Sequence, residues 1–281
     1  MRPTVVVMLL LAALAFAPEA SAYKRIGERW PQGTITVANE APRYSTSVRR
    51  AVKLWNRAKL GVRFRLTPSS QARVIFRYGR GNGGGRTGCE GLAGGTGAGY
   101  PGIDFSMMPV FLLRTCASRR LRDFTAMHEL GHVLGLGHEN RRCALMNARA
   151  SVRSGLGVRC PARGRTARRL RRTFLTADDK RGVRGLYRRS FVPRVSARPL
   201  FNTSVTSFGN GTGHGSFGAV LPNAALSFAW DFGDPASGPG NSAAGRSVEH
   251  RYSAPGTYTV VMSVIDDGVL VATRPETVVV Q

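Results

Sequence analysis

Five residues within a stretch of eleven, His128, Glu129, His132, Gly135 and His138, have the types and spacing to build a metal-centred hydrolytic site. On a helix, side chains four positions apart project from one face a turn apart, so His128 and His132 would aim their rings at one point with Glu129 beside them. Gly135 can take the left-handed conformation that ends a helix, which would turn the chain back and deliver His138 from outside it. Three imidazoles suit one catalytic Zn2+ ion and leave its fourth position to water or substrate. A bare H-E-x-x-H arises by chance in roughly one chain of this length in a hundred, and the added Gly and His lower that to about one in a hundred thousand. A core helix with incidental histidines is therefore set aside.

The chemistry follows from the ligand set. Neutral imidazoles leave the ion its full charge, which polarises a water and a carbonyl and brings the water pKa from about 15.7 toward about 7–9. Glu129 is the general base that would take the proton and the general acid that would return it to a leaving amine.

Such a site has to be carried by a suitable chain. Residues 1–22 have the pattern of a signal peptide: Arg2, an apolar run from Val5 to Phe16 too short to span a bilayer, and an Ala20-Ser21-Ala22 cleavage site, so Tyr23 would begin the mature chain. No later stretch is apolar enough for a transmembrane segment, and the expectation is a secreted, extracellular protein. The 281 residues suffice for two modest domains. All four cysteines, Cys89, Cys116, Cys143 and Cys160, follow the signal, and an even number in an exported chain argues for disulfides. Three pairings exist; the sequence-local Cys89–Cys116 and Cys143–Cys160 are favoured, and no C-x-x-C spacing suggests a cysteine zinc site.

Charge divides the chain. It has 41 Lys and Arg against 16 Asp and Glu, yet residues 195–281 hold only four basic and six acidic residues, while residues 23–194 carry a net charge of +27. The densest stretch, Arg163 to Arg172, suits an anionic cell-surface or extracellular polymer or simply forms a solvated basic loop; nothing in it specifies nucleic acid.

Elements to hold the site are readable in the first part. Thr34–Val37, Val62–Leu66 and Val74–Phe76 read as strands, and Ile103–Met108 as a strand bordering a cleft. Ser45 or Ser47 would cap a helix with Val48, Ala51, Val52, Trp55 and Ala58 on its apolar face, and Asp123 would cap the histidine helix. Residues 79–102 are Gly-rich and read as a disulfide-tethered loop, with no Lys-Ser/Thr pair or helix start to make a phosphate loop. Thr176-Ala177-Asp178-Asp179 is a capping box opening a last helix.

With these features in hand, residues 23–190 resemble a metzincin metallopeptidase, most closely of the matrixin branch. Met146, eight residues past His138 in Cys143-Ala144-Leu145-Met146-Asn147, lies where matrixins carry their Met-turn. Trp30-Pro31, the Trp55 helix and Leu175–Tyr187 also resemble matrixin elements. The resemblance implies an α+β domain, a twisted mixed sheet packed on helices with a cleft across the zinc, and a protein or peptide substrate. It further implies that residues 147–160 line the pocket for the residue after the cut, and it offers Asp178 or Asp179 as a partner for the ammonium of Tyr23, against the favoured reading that both acids merely complement the helix dipole. Departures are informative. No histidine precedes His128, so the His-containing structural zinc site of vertebrate matrixins is missing, as is a propeptide cysteine between the signal and Cys89. Glu139 is more like the astacin branch, but no Tyr sits two residues past Met146. Ca2+ is allowed by the family but not placed, because Glu90 and Asp104 alone make no coordination shell.

Residues 199–281, after a linker at 191–198, have β-sandwich composition. Trp230-Asp231-Phe232-Gly233-Asp234, His250-Arg251-Tyr252 and Pro255-Gly256-Thr257-Tyr258 resemble a PKD-type (polycystic-kidney-disease repeat), Ig-like all-β domain. The resemblance implies core roles for Trp230 and Tyr258, turn-stabilising roles for Asp231 and Asp234, no catalytic role for His214 or His250, and service as a substrate-adhesion or spacing module. The sequence thus reads as a secreted zinc-dependent endopeptidase, against the alternative of a catalytically weak surface- or polymer-binding protein.

Overall fold

The chain builds one mixed sheet with helices and then an all-β unit, as described by a computed structural model of residues 26–31, 33–79, 89, 91–93, 99–103, 105, 107–188, 201–221 and 226–281. The signal peptide, Tyr23, Glu90, Asp104, most of the Gly-rich stretch and the linker at 191–198 lie outside the described residues.

Strands β1 (Thr34–Asn39), β2 (Arg63–Leu66), β3 (Val74–Tyr78), β4 (Gly91–Ala93) and β5 (Met108–Leu112) form a sheet in the order β2-β1-β3-β5-β4. The first four neighbours pair in parallel, and β4 closes the edge antiparallel to β5. Helices α1 (Ser45–Arg57) and α2 (Arg119–Val133) join the sheet in one core, where Ile35, Val37, Val74, Phe76, Val110 and Leu112 meet Val48, Trp55, Phe124 and Leu130. After α2 come the short pair β6 (Ala150–Ser151) and β7 (Leu156–Gly157), then α3 (Gly164–Thr173) and α4 (Ala177–Tyr187).

Several boundaries differ from the sequence reading. The strand at Ile103–Met108 is displaced to Met108–Leu112, with Ile103 in a turn. Part of the Gly-rich stretch is strand β4, a three-residue edge that periodicity cannot reveal. Neither Ser45 nor Ser47 caps α1; Ser47 is buried and donates to Asp123 at 2.7 Å. Asp123 lies inside α2, paired with Arg50 at 2.5 Å, and the cap is Ser118, whose Oγ accepts from the Leu121 amide. Arg163–Arg172 is not a loop. It falls largely in α3, an amphipathic helix that buries Ala167 and Leu170 and leaves Arg165, Arg168, Arg169 and Arg172 exposed.

The C-terminal unit packs two sheets. Strands β8 (Phe201–Ser207), β9 (Gly213–Ala219) and β12 (Ser247–Tyr252) form one; β10 (Leu226–Asp231), β11 (Ser242–Ala244), β13 (Gly256–Asp266) and β14 (Val269–Val280) form the other, all antiparallel. Trp230, Phe217, Phe232, Tyr252, Val260 and Met262 fill the space between them. Tyr258 is only half-buried; Tyr252, hydrogen-bonded to the Phe232 carbonyl, is the fully buried tyrosine. Asp231 accepts from the Gly233 amide and Asn241, and buried Asp234 pairs with His250 at 3.0 Å, which gives both acids their turn-holding role and His250 a structural one.

Candidate metal centre

Helix α2 runs through the middle of the first domain, so nearly every side chain along its second half is buried. Trp55 donates from its indole to the Met127 carbonyl at 3.0 Å, and Thr125 to the Cys89 carbonyl at 2.6 Å, fixing the helix to α1 and to the loop before β4. Gly131 sits where a Cβ would collide with the Met146 sulfur, which lets the Met146 segment pack directly beneath the helix. The helix stops at Leu134, and Gly135 takes φ +92°, the left-handed turn that brings His138 back.

The three histidines converge. His128 Nε2 and His132 Nε2 lie 3.3 and 3.2 Å from His138 Nε2. His128 Nδ1 meets the Leu145 carbonyl at 2.9 Å and His132 Nδ1 meets the Leu136 carbonyl at 2.7 Å. A carbonyl can only accept, so both Nδ1 atoms carry the proton and both Nε2 atoms present lone pairs to the same point. Burial and the neighbouring imidazoles lower the pKa of His128 to about 3, burial lowers that of His132 to about 4, and His138 is lowered by burial as well. Neutral rings with lone pairs facing one another repel unless a cation sits among them. Tetrahedral zinc with bonds of about 2.05 Å spaces its ligand atoms about 3.3 Å apart. The donor set and spacing therefore fit one zinc ion.

Glu129 is 3% exposed, beside the histidines on the side of β4. Its carboxylate accepts from the Ala93 amide, while burial dominates and raises its pKa to about 8; Oε2 is buried without a hydrogen-bond partner among the described residues. Gly91 leaves the room it occupies. Gly91 and Ala93 were not singled out by sequence reasoning, because their role depends on strand pairing across the loop.

Beyond His138 the chain is tightly tied. The Glu139 amide donates to the Met146 carbonyl at 2.8 Å, and the buried Glu139 carboxylate caps the Arg141 and Arg142 amides at 2.5 and 3.1 Å. Asn147 donates to the Glu139 and Arg142 carbonyls. The Cys143–Cys160 bond closes this loop, and Cys89–Cys116 closes the one before α2. Asp179 of α4 accepts from the Leu145 amide at 3.1 Å, the Met146 amide at 3.4 Å and both groups of Thr176 at 2.7 Å. Its oxygens are thus committed to Thr176 and the Met146 turn. Asp178 pairs one oxygen with Arg181 at 3.3 Å and keeps the other buried and unpartnered among the described residues.

A three-histidine cluster that could hold a metal ion and a buried glutamate thus lie together at one helix beside a mixed sheet. Residues 33–159 match the family model for Matrixin and residues 212–280 that for the PKD domain, so a matrixin-like domain is followed by a PKD-like one. No curated protein matches it. Solved structures similar to part of it include the PKD1 domain of Vibrio anguillarum Epp, at 25% identity and TM-score 0.23, covering 30% of this chain and 95% of that one. Another is the PKD1 domain of the Vibrio cholerae metalloprotease PrtV, at 21% identity and TM-score 0.23, covering 30% of this chain and 94% of that one.

Proposed function

We propose that the protein is a secreted zinc endopeptidase in which His128, His132 and His138 hold one catalytic zinc and Glu129 is general base and then general acid. The observation that carries this reading is the meeting of three Nε2 atoms within 4.8 Å of one another, next to a buried carboxylate. When bound, the zinc supplies Lewis acidity toward water and the scissile carbonyl. The carbonyls of Leu145 and Leu136 orient the His128 and His132 rings through their Nδ1 protons. Burial makes Glu129 a stronger base than a solvated carboxylate, and its position against β4 keeps it from swinging away. An extended peptide can lie along β4, the outer strand of the sheet, with its scissile bond beside Glu129.

Two disulfides suit an oxidising compartment, and no described helix is long and apolar enough to cross a membrane. Residues 23–190 serve as the catalytic unit and 199–281 as the accessory domain. The exposed arginines of α3, which make no ion pair among the described residues, suit an anionic polymer outside the cell.

Purified protein should contain one zinc and cleave casein or gelatin, with cleavage stopped by a chelator. Glu129→Gln should keep the zinc and lose essentially all turnover, whereas His138→Ala should lose the metal. Zinc-loaded protein that cleaves no member of a peptide library would replace this reading with that of a binding protein.

A further inference from the structure

The PKD domain meets the catalytic domain at the tip of one hairpin and around Ile103, and what the hairpin tip touches leads to the histidine helix. Asp267 and Gly268 have φ of +51° and +80°, a two-residue turn that joins β13 to β14 and leaves Asp266 as the last residue of β13. The Asp266 carboxylate is 1% exposed and is held entirely by the other domain. Arg73 grips it with both terminal nitrogens, at 2.6 and 3.1 Å, and Tyr100 donates its hydroxyl at 2.6 Å. Burial and the carboxylate both raise the Tyr100 pKa, so the phenol stays a donor. Ile103, three residues on, is buried in the hydrophobic core of the PKD domain.

Arg73 is anchored by its own backbone, with its amide on Thr36 at 3.1 Å and its carbonyl accepting from Met108 at 2.7 Å. Its guanidinium lies over the rings of Trp30 and Tyr100, 5.6 and 5.9 Å from their centroids, and those rings meet edge to face at 5.5 Å. Each aromatic residue is tied to the end of α2. Trp30 donates from Nε1 to the Val133 carbonyl at 2.8 Å, and the Gly99 amide donates to the His132 carbonyl at 2.9 Å. Tyr100 pairs with Glu28, two residues after Ile26, whose amide bonds the Gly135 carbonyl at 3.1 Å.

We propose that Asp266 is a positioning residue of the catalytic domain. Through Arg73 and Tyr100 it clamps the Gly27–Trp30 and Gly99–Tyr100 segments onto the turn that carries His132 and releases His138. The PKD domain is on this reading a docked part of the metal centre's support and not a freely tethered adhesion module. This inference stands whether or not the site hydrolyses peptides, since it concerns the order of the site and not its turnover.

The test uses the full chain with Asp266→Asn, Asp266→Ala and Tyr100→Phe, and Glu249→Gln on the exposed face of the same domain as control. Native-state amide exchange should rise at least ~10-fold at Gly99, Tyr100 and Gly135 in both Asp266 variants, less in Tyr100→Phe, and not in the control. Amides of Val260, Met262 and Val264 in the PKD core should stay protected, which separates local release from general unfolding. Zinc affinity, read by competition with a chromogenic chelator, should weaken in step. Unchanged exchange at Gly99 and Gly135 in Asp266→Asn would overturn the proposal, as would an equal rise across the PKD core. If Asp266→Ala unfolds, Asp266→Asn, which keeps the shape of the side chain, decides alone.

Discussion

A methyl group placed on Gly91 would lie 2.5 Å from Oε1 of Glu129 and 2.7 Å from both its Cδ and Cγ, so the β4 strand and the Glu129 carboxylate fit together only because position 91 has no side chain. The obstacle would be the buried body of Glu129, held by the Ala93 amide on one side and by the helix on the other.

Gly91→Ala should therefore displace Glu129 or push β4 off β5. A displacement of about 1 Å at a reacting group costs about 10²-fold in rate. The expected outcome is a fall of kcat/KM of that order with zinc content unchanged, measured on a fluorogenic peptide beside a metal assay. Unchanged kcat/KM with full zinc would mean that Glu129 is not held where catalysis needs it.

The part of this arrangement that lies on one helix was legible in the sequence. Helical spacing alone orients His128 and His132 together, and a glycine at 135 predicts the turn that the chain takes there. The capping box at Thr176–Asp179 was equally readable, because its four residues act locally. Contacts made across the fold were not. Asp123 has the side chain of a cap but sits five residues past Ser118, buried against Ser47 and Arg50, since a partner 73 positions away in sequence leaves no local pattern. The arginine run looked like solvated loop because its two apolar anchors, Ala167 and Leu170, are too few to show a period among so many charges. Asp266 has no local pattern to mark it, because its partners Arg73 and Tyr100 lie 193 and 166 positions away.

Asp179 connects α4 to the Met146 turn by accepting two buried amides, Leu145 and Met146, while it caps its own helix through Thr176. Asp179→Ala would leave both amides without their acceptor and remove half of the capping box. At about 1–3 kcal/mol for stranded buried donors and about 1 kcal/mol for the cap, a loss of ~2–4 kcal/mol is expected. Urea unfolding would measure it. Because the Leu145 carbonyl orients the His128 ring, zinc affinity should fall too; an unchanged affinity would uncouple the Met146 turn from the metal centre.

The Cys143–Cys160 bond closes a 17-residue separation around the chain that follows Met146. Loop-closure entropy for that length stabilises by about 3 kcal/mol, and Cys89–Cys116, with a separation of 27, by a little more. Replacing Cys143 and Cys160 together by Ser should lower stability by about that amount. Its functional effect should fall on substrate preference, because residues 147–160 are expected to line the pocket after the cut. A cleavage profile identical to that of the parent would exclude this loop as the specificity element.

Removing the metal should leave His128 Nε2 and His132 Nε2 with lone pairs facing His138, 3.3 and 3.2 Å away, and no ion to hold them. Zinc binding to the folded state alone stabilises in proportion to the logarithm of its free concentration over Kd, about 2.7 kcal/mol at a hundredfold excess. Calorimetry with and without a chelator should show that loss in the transition of the matrixin domain. The Asp266 clamp makes a second outcome specific. In the parent chain the PKD domain should register the metal through Arg73 and Tyr100, and its unfolding should shift with zinc. In Asp266→Asn that zinc-dependent shift should be smaller, because the link from the hairpin tip through Arg73 and Tyr100 toward the His132 carbonyl is weakened while the Ile103 contact remains; an undiminished shift would count against the clamp.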